Sequence, residues 1–104
     1  MYVQFIVDDL HFEWDPGKAA ANARRHGVGF EEAVTVFADE SALLLDDPEH
    51  SVSEERFVLL GLSAALRLLV VVHCYRAKQD TIRIISALKA IRSEAAQYEG
   101  RWRR

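Results

Sequence analysis

The second half of this chain gathers cations and proton carriers on what read as sheet and helix. Arg67, His73, Tyr75 and Arg76 fall on or beside one apolar run, Arg83 falls on the next, and Lys89, Arg92 and Tyr98 follow in the last segment. RNA cleavage without a metal uses these types: a base for the 2′-hydroxyl, cations for the charge building on phosphorus, and an acid for the leaving oxygen. Arginine suits the second role because its planar fork matches phosphate oxygens. Arginines on strands also serve as solubilising charges on a sheet face, and composition does not choose between the two readings.

Other chemistries find little footing. The four histidines have no HxxxH or HxH spacing, and Asp46-Asp47-x-Glu49-His50 lacks the alternating ligands and central glycine of a calcium loop, so it reads as a solvated turn. No metal or other cofactor is expected. Cys74 lies inside an apolar run, where thiols are inert core residues. Ser63 in Gly-Leu-Ser-Ala-Ala lacks the final glycine of a nucleophile elbow, and no phosphate-cradling glycine loop is present.

The chain's 104 residues suit one domain, and a single cysteine excludes an internal disulfide framework and fits a reducing cytoplasm. The longest apolar stretch, Leu68 to Val72, is far short of a membrane span, and Asp8 and Asp9 do not suit a secretory signal. The formal charge of −3 hides a split. Residues 1–66 carry four basic side chains against thirteen acidic, a net of −9, and residues 67–104 carry nine against three, a net of +6. Such asymmetry points to an anionic or polyvalent partner and predicts a one-sided basic face.

The elements that must position these groups follow from pattern. Tyr2 to Val7 suits a strand, which Phe12 to Trp14 continues or pairs with. Asp15-Pro16 starts a helix that Gly27 caps, and a short second helix spans about Phe30 to Phe37. Leu43–Leu45, Arg56–Leu62 and Leu66–Tyr75 read as strands, the last buried on both faces. A hairpin connection over Arg76–Asp80 leads to a strand over Thr81–Ser86, with Ile82, Ile84 and Ser86 on one face and Arg83 and Ile85 on the other. Leu88, Ile91, Ala95 and Tyr98 fall at helical spacing, with Ser86 as N-cap. The expected class is α+β: an N-terminal strand and two helices, an antiparallel sheet of three to five strands, and a C-terminal helix.

Longer motifs give a resemblance. Phe12-Glu13-Trp14-Asp15-Pro16, Lys18, Asn22, Arg25-His26-Gly27-Val28, Phe30-Glu31-Glu32-Ala33 and Val36-Phe37 are followed by Glu55-Arg56, Gly61-x-Ser63, Arg67-x-Leu69-Val70-Val71-Val72 and Ile82-Arg83-Ile84-Ile85-Ser86-Ala87-x-Lys89-Ala90. In this order and spacing, with Glu94 and Tyr98 behind, the chain resembles the BrnT toxin family across residues 12 to 98. The resemblance implies a fold similar to RelE-type ribonucleases and a toxin of a type II toxin–antitoxin pair that cleaves RNA endonucleolytically and stops translation. It implies a BrnA-like antitoxin as partner, in a hetero-oligomer of 2:2 type, with operator DNA reached only through that antitoxin.

Residue by residue, the resemblance makes Arg67 and Arg83 phosphate and transition-state cations, and Lys89 and Tyr98 a cation and a proton carrier. Arg76, Lys78 and Arg92 are candidate RNA contacts. His26 reads two ways, as a general acid or base or as a helix-end cap, since a helix C-terminus favours an imidazole in either role. Where the family usually reads Ser-Ala-Arg-Lys-Ala, this chain has Leu88 between Ala87 and Lys89. A leucine does not replace a guanidinium on phosphate. The alternative is therefore an attenuated binding module that persists as antitoxin partner and corepressor, although Leu88 also fits the apolar series of the last segment.

Overall fold

The computed structural model describes residues 1–46, 56–76 and 80–100. The acidic segment Asp47–His50, Lys78 and the terminal arginines Arg101, Arg103 and Arg104 lie outside these residues. Strands β1 (Val3–Val7) and β2 (Leu10–Trp14) form a hairpin around Asp8-Asp9, with Asp8 in the left-handed region at φ 54°. Helices α1 (Pro16–His26) and α2 (Phe30–Thr35) follow, and a 3₁₀ turn over Val36–Ala38 extends α2. Then come β3 (Leu43–Asp46), β4 (Phe57–Leu62), β5 (Leu68–Arg76), β6 (Thr81–Lys89) and α3 (Arg92–Gly100).

The class is α+β, but the described residues form six strands rather than three to five, in the order β1-β2-β6-β5-β4-β3. The N-terminal segment supplies two strands because Asp8-Asp9 turns the chain back on itself. The sheet is mixed, since β2 runs parallel to β6 over His11–Glu13 against Thr81–Arg83, and every other pairing is antiparallel. β5 is central, as its unbroken apolar run requires.

One face of the sheet carries the core. Phe12, Trp14, Leu59, Leu69, Val71, Ile82 and Ile84 meet Val28, Phe30, Ala33, Val34 and Val36 from the helical layer. Gly61 permits the closest approach: a Cβ there would lie 2.8 Å from Val36 Cγ1 and 2.9 Å from the Ala42 methyl. The cap residues behave as read. Asp15 Oδ2 accepts from Lys18 N at 2.8 Å, and Gly27 closes α1 at φ 69°.

The last segment departs from its pattern. Leu88 and Lys89 continue β6 instead of starting a helix, paired with Val70 and Leu69. The helix begins only at Arg92, where Glu94 Oε1 accepts from Ile91 N at 2.8 Å. A bulge opposite Val72/His73 makes Ile85 the extra residue, so Ala87 takes the core side and Ser86 pairs with Val72 on the other face. The pairing of β2 with β6 reaches only Arg83, and beyond it β6 has no strand on that side. Buried Asn22 of α1 takes the strand's place: its Oδ1 accepts from Ala87 N at 3.1 Å, and its Nδ2 donates to Ala87 O at 2.8 Å and to Val28 O at 2.9 Å.

Asn22→Ala strands this backbone amide and two carbonyls, with an expected loss of about 2–3 kcal/mol in urea unfolding. His73 gives a second test. It is fully buried among the rings of Phe37, Phe57 and Tyr75, its Nδ1 donates to the Val71 carbonyl at 3.2 Å, and Nε2 has no partner among the described residues. Burial holds the imidazole below its ordinary value of 6.5, against the opposing pull of the Val71 carbonyl. Below that value the unfolded chain takes up a proton that the folded chain refuses. Stability therefore falls as pH drops through the region below 6.5, by at most about 1.4 kcal/mol per pH unit for this group, and the His73→Phe variant loses that slope.

Candidate active site

Three elements meet beyond the C-terminus of α1. The turn between β4 and β5 brings Ser63 and Arg67 against Glu32 in the first turn of α2. Arg67 Nε donates to Glu32 Oε2 at 2.9 Å, Arg67 Nη2 donates to Glu32 Oε1 and to the Gly27 carbonyl at 3.0 Å, and Ser63 Oγ donates to Glu32 Oε2 at 2.7 Å. Arg67 thus ties the end of α1 to the start of α2 and to the sheet. Its Nη1 makes no hydrogen bond among the described residues, so one edge of the fork stays open toward solvent, where the side chain is 34% exposed.

Lys89 closes the same corner. Its pairing with Leu69 places it on the helical side of the sheet, and its Nζ lies 3.8 Å from where a Cβ on Gly27 would sit. Both cations stand at the negative end of the α1 dipole, where they are favoured. The Arg67 hydrogen bond is the largest influence on Glu32 and holds its carboxyl below the usual carboxylate value. Burial opposes this, while Ser63 and the charges of Arg67 and Lys89 add to it. Glu32 is therefore held as an anion that orients Arg67. The same pair raises the Arg67 value further.

Along α1 the surface stays basic. Lys18, Arg25 and His26 line a cavity of about 210 Å³ with Asn22, Ile85 and Ser86. His26 is half-buried as the last residue of α1, between this cavity and the Gly27 corner. The structure thus brings Arg67 and Lys89 to the Gly27 corner, while His26, the residue before Gly27, lines the adjoining cavity. The charge halves of the sequence do not remain apart in space: Lys18, Arg24 and Arg25 come from the acidic half, and the acidic half's Glu32 neutralises Arg67.

The other candidates lie elsewhere. Arg83 points from β6 to the opposite sheet face, where its Nε donates to Glu13 Oε2 at 2.7 Å and its guanidinium lies 4.3 Å from the Tyr2 ring centre. Its register partner Cys74 stands six residues along β5 from Leu68, about 20 Å from the Arg67 corner. Tyr98 is half-buried on α3 and donates to Asp39 Oδ2 at 2.7 Å. Arg76 is exposed at the far end of β5, and Arg92 is exposed at the start of α3. Leu88 is paired with Val70 on the face opposite Lys89, half-buried on an apolar surface. Glu13, Glu32 and Ser63 stand within the sequence motifs, but nothing in their local spacing assigns them these partners. A carboxylate that locks an arginine from 35 residues away leaves no local spacing to read.

A family model described as "Ribonuclease toxin, BrnT, of type II toxin-antitoxin system" matches residues 14–94. The chain belongs to the BrnT family. The match runs from Trp14 through Glu94, so it contains α1, the Glu32–Arg67 clasp, Arg83 and Lys89. No curated protein matches the chain. Membership makes this a ribonuclease toxin family protein with an antitoxin as its partner. No helix among the described residues is long and apolar enough to cross a membrane, and those residues hold no group of three or more His, Cys, Asp or Glu that could bind a metal.

The Glu32 carboxylate gives this corner an acid signature. Its stabilising effect is full above its ordinary value of 4.5 and is lost as pH falls through its lower folded-state value. The stability gap between the wild type and Glu32→Gln is expected to be widest near neutrality and to narrow below pH 4.5, as read by urea unfolding at stepped pH.

Proposed function

We propose that this BrnT family protein is an endoribonuclease that cleaves RNA at the corner formed by His26, Arg67 and Lys89, without a metal, and so halts translation. The observation that carries the reading is convergence. A guanidinium with one free edge and an ammonium stand at the Gly27 corner, and the imidazole of the preceding residue, His26, lines the cavity beside it. The basic side of α1 leads into that end and offers Lys18 and Arg25 to flanking phosphates.

The chemistry follows from the groups. His26 takes the proton of a 2′-hydroxyl as its oxygen attacks the adjacent phosphorus, and the P–O5′ bond breaks to leave a 2′,3′-cyclic phosphate and a 5′-hydroxyl. Arg67, pre-aimed by Glu32, and Lys89 hold the charge that builds on the non-bridging oxygens. Protonated His26 or Lys89 returns a proton to the departing oxygen. Tyr98 and Arg83 serve the fold through Asp39 and Glu13, and the RelE-like likeness, a BrnA-like antitoxin and a 2:2 assembly complete the proposal. Leu88 keeps one second reading in play, a corepressor with attenuated cleavage. Its position on the apolar face away from Lys89 favours the packing role instead.

Induction in a bacterial host is expected to arrest growth, and the purified protein is expected to cleave RNA in excess EDTA. Arg67→Ala and Lys89→Ala each lower the cleavage rate by about 100-fold or more while the fold persists by circular dichroism. Wild-type protein that neither slows growth nor cleaves RNA sinks the enzyme reading, and recovery of cleavage in Leu88→Arg identifies the attenuated form.

A further inference from the structure

A cavity of about 660 Å³ lies between the β1–β2 hairpin and the α2 layer, away from the basic side of α1. Phe5, Val7, Leu10 and Phe12 wall one side and Val34 and Phe37 the other. Val7 and Leu10 remain 37% and 43% exposed. Every ionisable described residue lining the cavity is an acid: Asp8, Glu31 and Asp39. Asp39 is already occupied by Ser41 N, Leu62 N and the Tyr98 hydroxyl, which leaves Asp8 and Glu31 exposed at the mouth.

The groove is bounded by an open sheet edge. Among the described residues β1 pairs only with β2, so its outer N–H and C=O groups face away from the sheet. Its sequence Val-Gln-Phe-Ile-Val contains no lysine, proline or inward charge of the kind that blocks edge pairing, and Ile6 is 64% exposed. An edge strand over an apolar trough is the geometry by which extended peptides bind: main-chain bonds supply affinity and alternate side chains fill the trough. An acidic mouth repels a nucleic acid backbone and favours cationic ends on a peptide.

We infer that the β1 edge and the groove beneath it receive one extended segment of a partner protein, apolar at every second residue and carrying lysine or arginine at its ends. This rests on the toxin reading only in naming the partner as a neutralising one. The groove also reaches Thr35 and Ala64, whose backbone N–H donates to Thr35 Oγ1 beside the Ser63–Glu32–Arg67 clasp. A strand seated there thus touches the element that positions the arginine.

The test uses the full chain and a labelled synthetic peptide, Lys-Arg-Val-Thr-Ile-Thr-Val-Arg-Lys, followed by fluorescence anisotropy and by hydrogen exchange of the β1 amides. The expected result is saturable binding that weakens with salt and slows exchange in β1, with affinity about tenfold lower or worse for Val7→Lys and Leu10→Lys. Two control peptides need no variant: one N-methylated at alternate residues, the other with glutamate at its charged positions. Equal binding of either control, or no saturation by about 1 mM, overturns the inference. So does slowed β1 exchange on adding an RNA oligonucleotide instead of the peptide, or a dimer of the free protein that Val7→Lys dissolves. RNA cleavage measured on the same sample separates the two ideas: absent cleavage with peptide binding intact rejects the ribonuclease reading and upholds the groove.

Discussion

The site depends on one side-chain amide. β6 is the only strand that reaches from Arg83 to Lys89, and its outer edge loses the company of β2 after Arg83. A bare backbone edge inside a domain is costly, because each buried N–H and C=O needs a partner. Asn22 donates to and accepts from Ala87, as a neighbouring strand would, while also holding the Val28 carbonyl. Those bonds seat α1 beside the end of β6. With α1 seated, Gly27 falls beside Lys89 and its carbonyl accepts from Arg67.

Around that seat, charges act between segments rather than within them. Glu32 and Glu13 belong to the acidic half of the sequence, Arg67 and Arg83 to the basic half, and each glutamate takes one arginine on a different face of the sheet. The two arginines therefore do different work, Arg67 from the turn before β5 and Arg83 from β6 beside it. Arg83, sandwiched by Glu13 and Tyr2, fastens the N-terminal hairpin to β6. Arg67 fastens two helices to a turn but keeps a free edge. The turn itself is strained where it meets the site: Leu66 is left-handed at φ 63° and 78% exposed, directly before Arg67.

What sequence pattern could show, it showed through local chemistry. The Asp15-Pro16 cap and the Gly27 stop depend on residues close in the chain and stand as read. So does the buried run of β5 except at its start, which is Leu68 rather than Leu66 because Leu66 lies in the turn that presents Arg67. The six-stranded sheet was less legible, because the parallel contact of β2 with β6 joins residues about 70 apart. Leu88, Ile91, Ala95 and Tyr98 satisfy helical spacing, yet pairing with β5 holds Leu88 and Lys89 in a strand, and the bulge at Ile85 reverses the expected face of Ser86. The site was half visible. Its cations could be named by type, but which of them meet is set by Asn22 and Glu32, whose partners lie 65 and 35 residues away.

The proposed cleavage site requires that RNA meet the α1 end of the molecule and not the Arg83 face. Titration with a short oligonucleotide whose 2′-hydroxyls are replaced by hydrogen, followed by amide chemical shifts, tests it most directly because binding is read without cleavage. Binding at the proposed site gives shifts confined to residues 18–27, the turn at Arg67 and the end of β6 at Lys89. Shifts gathered at Tyr2, Glu13 and Arg83, with α1 silent, contradict it.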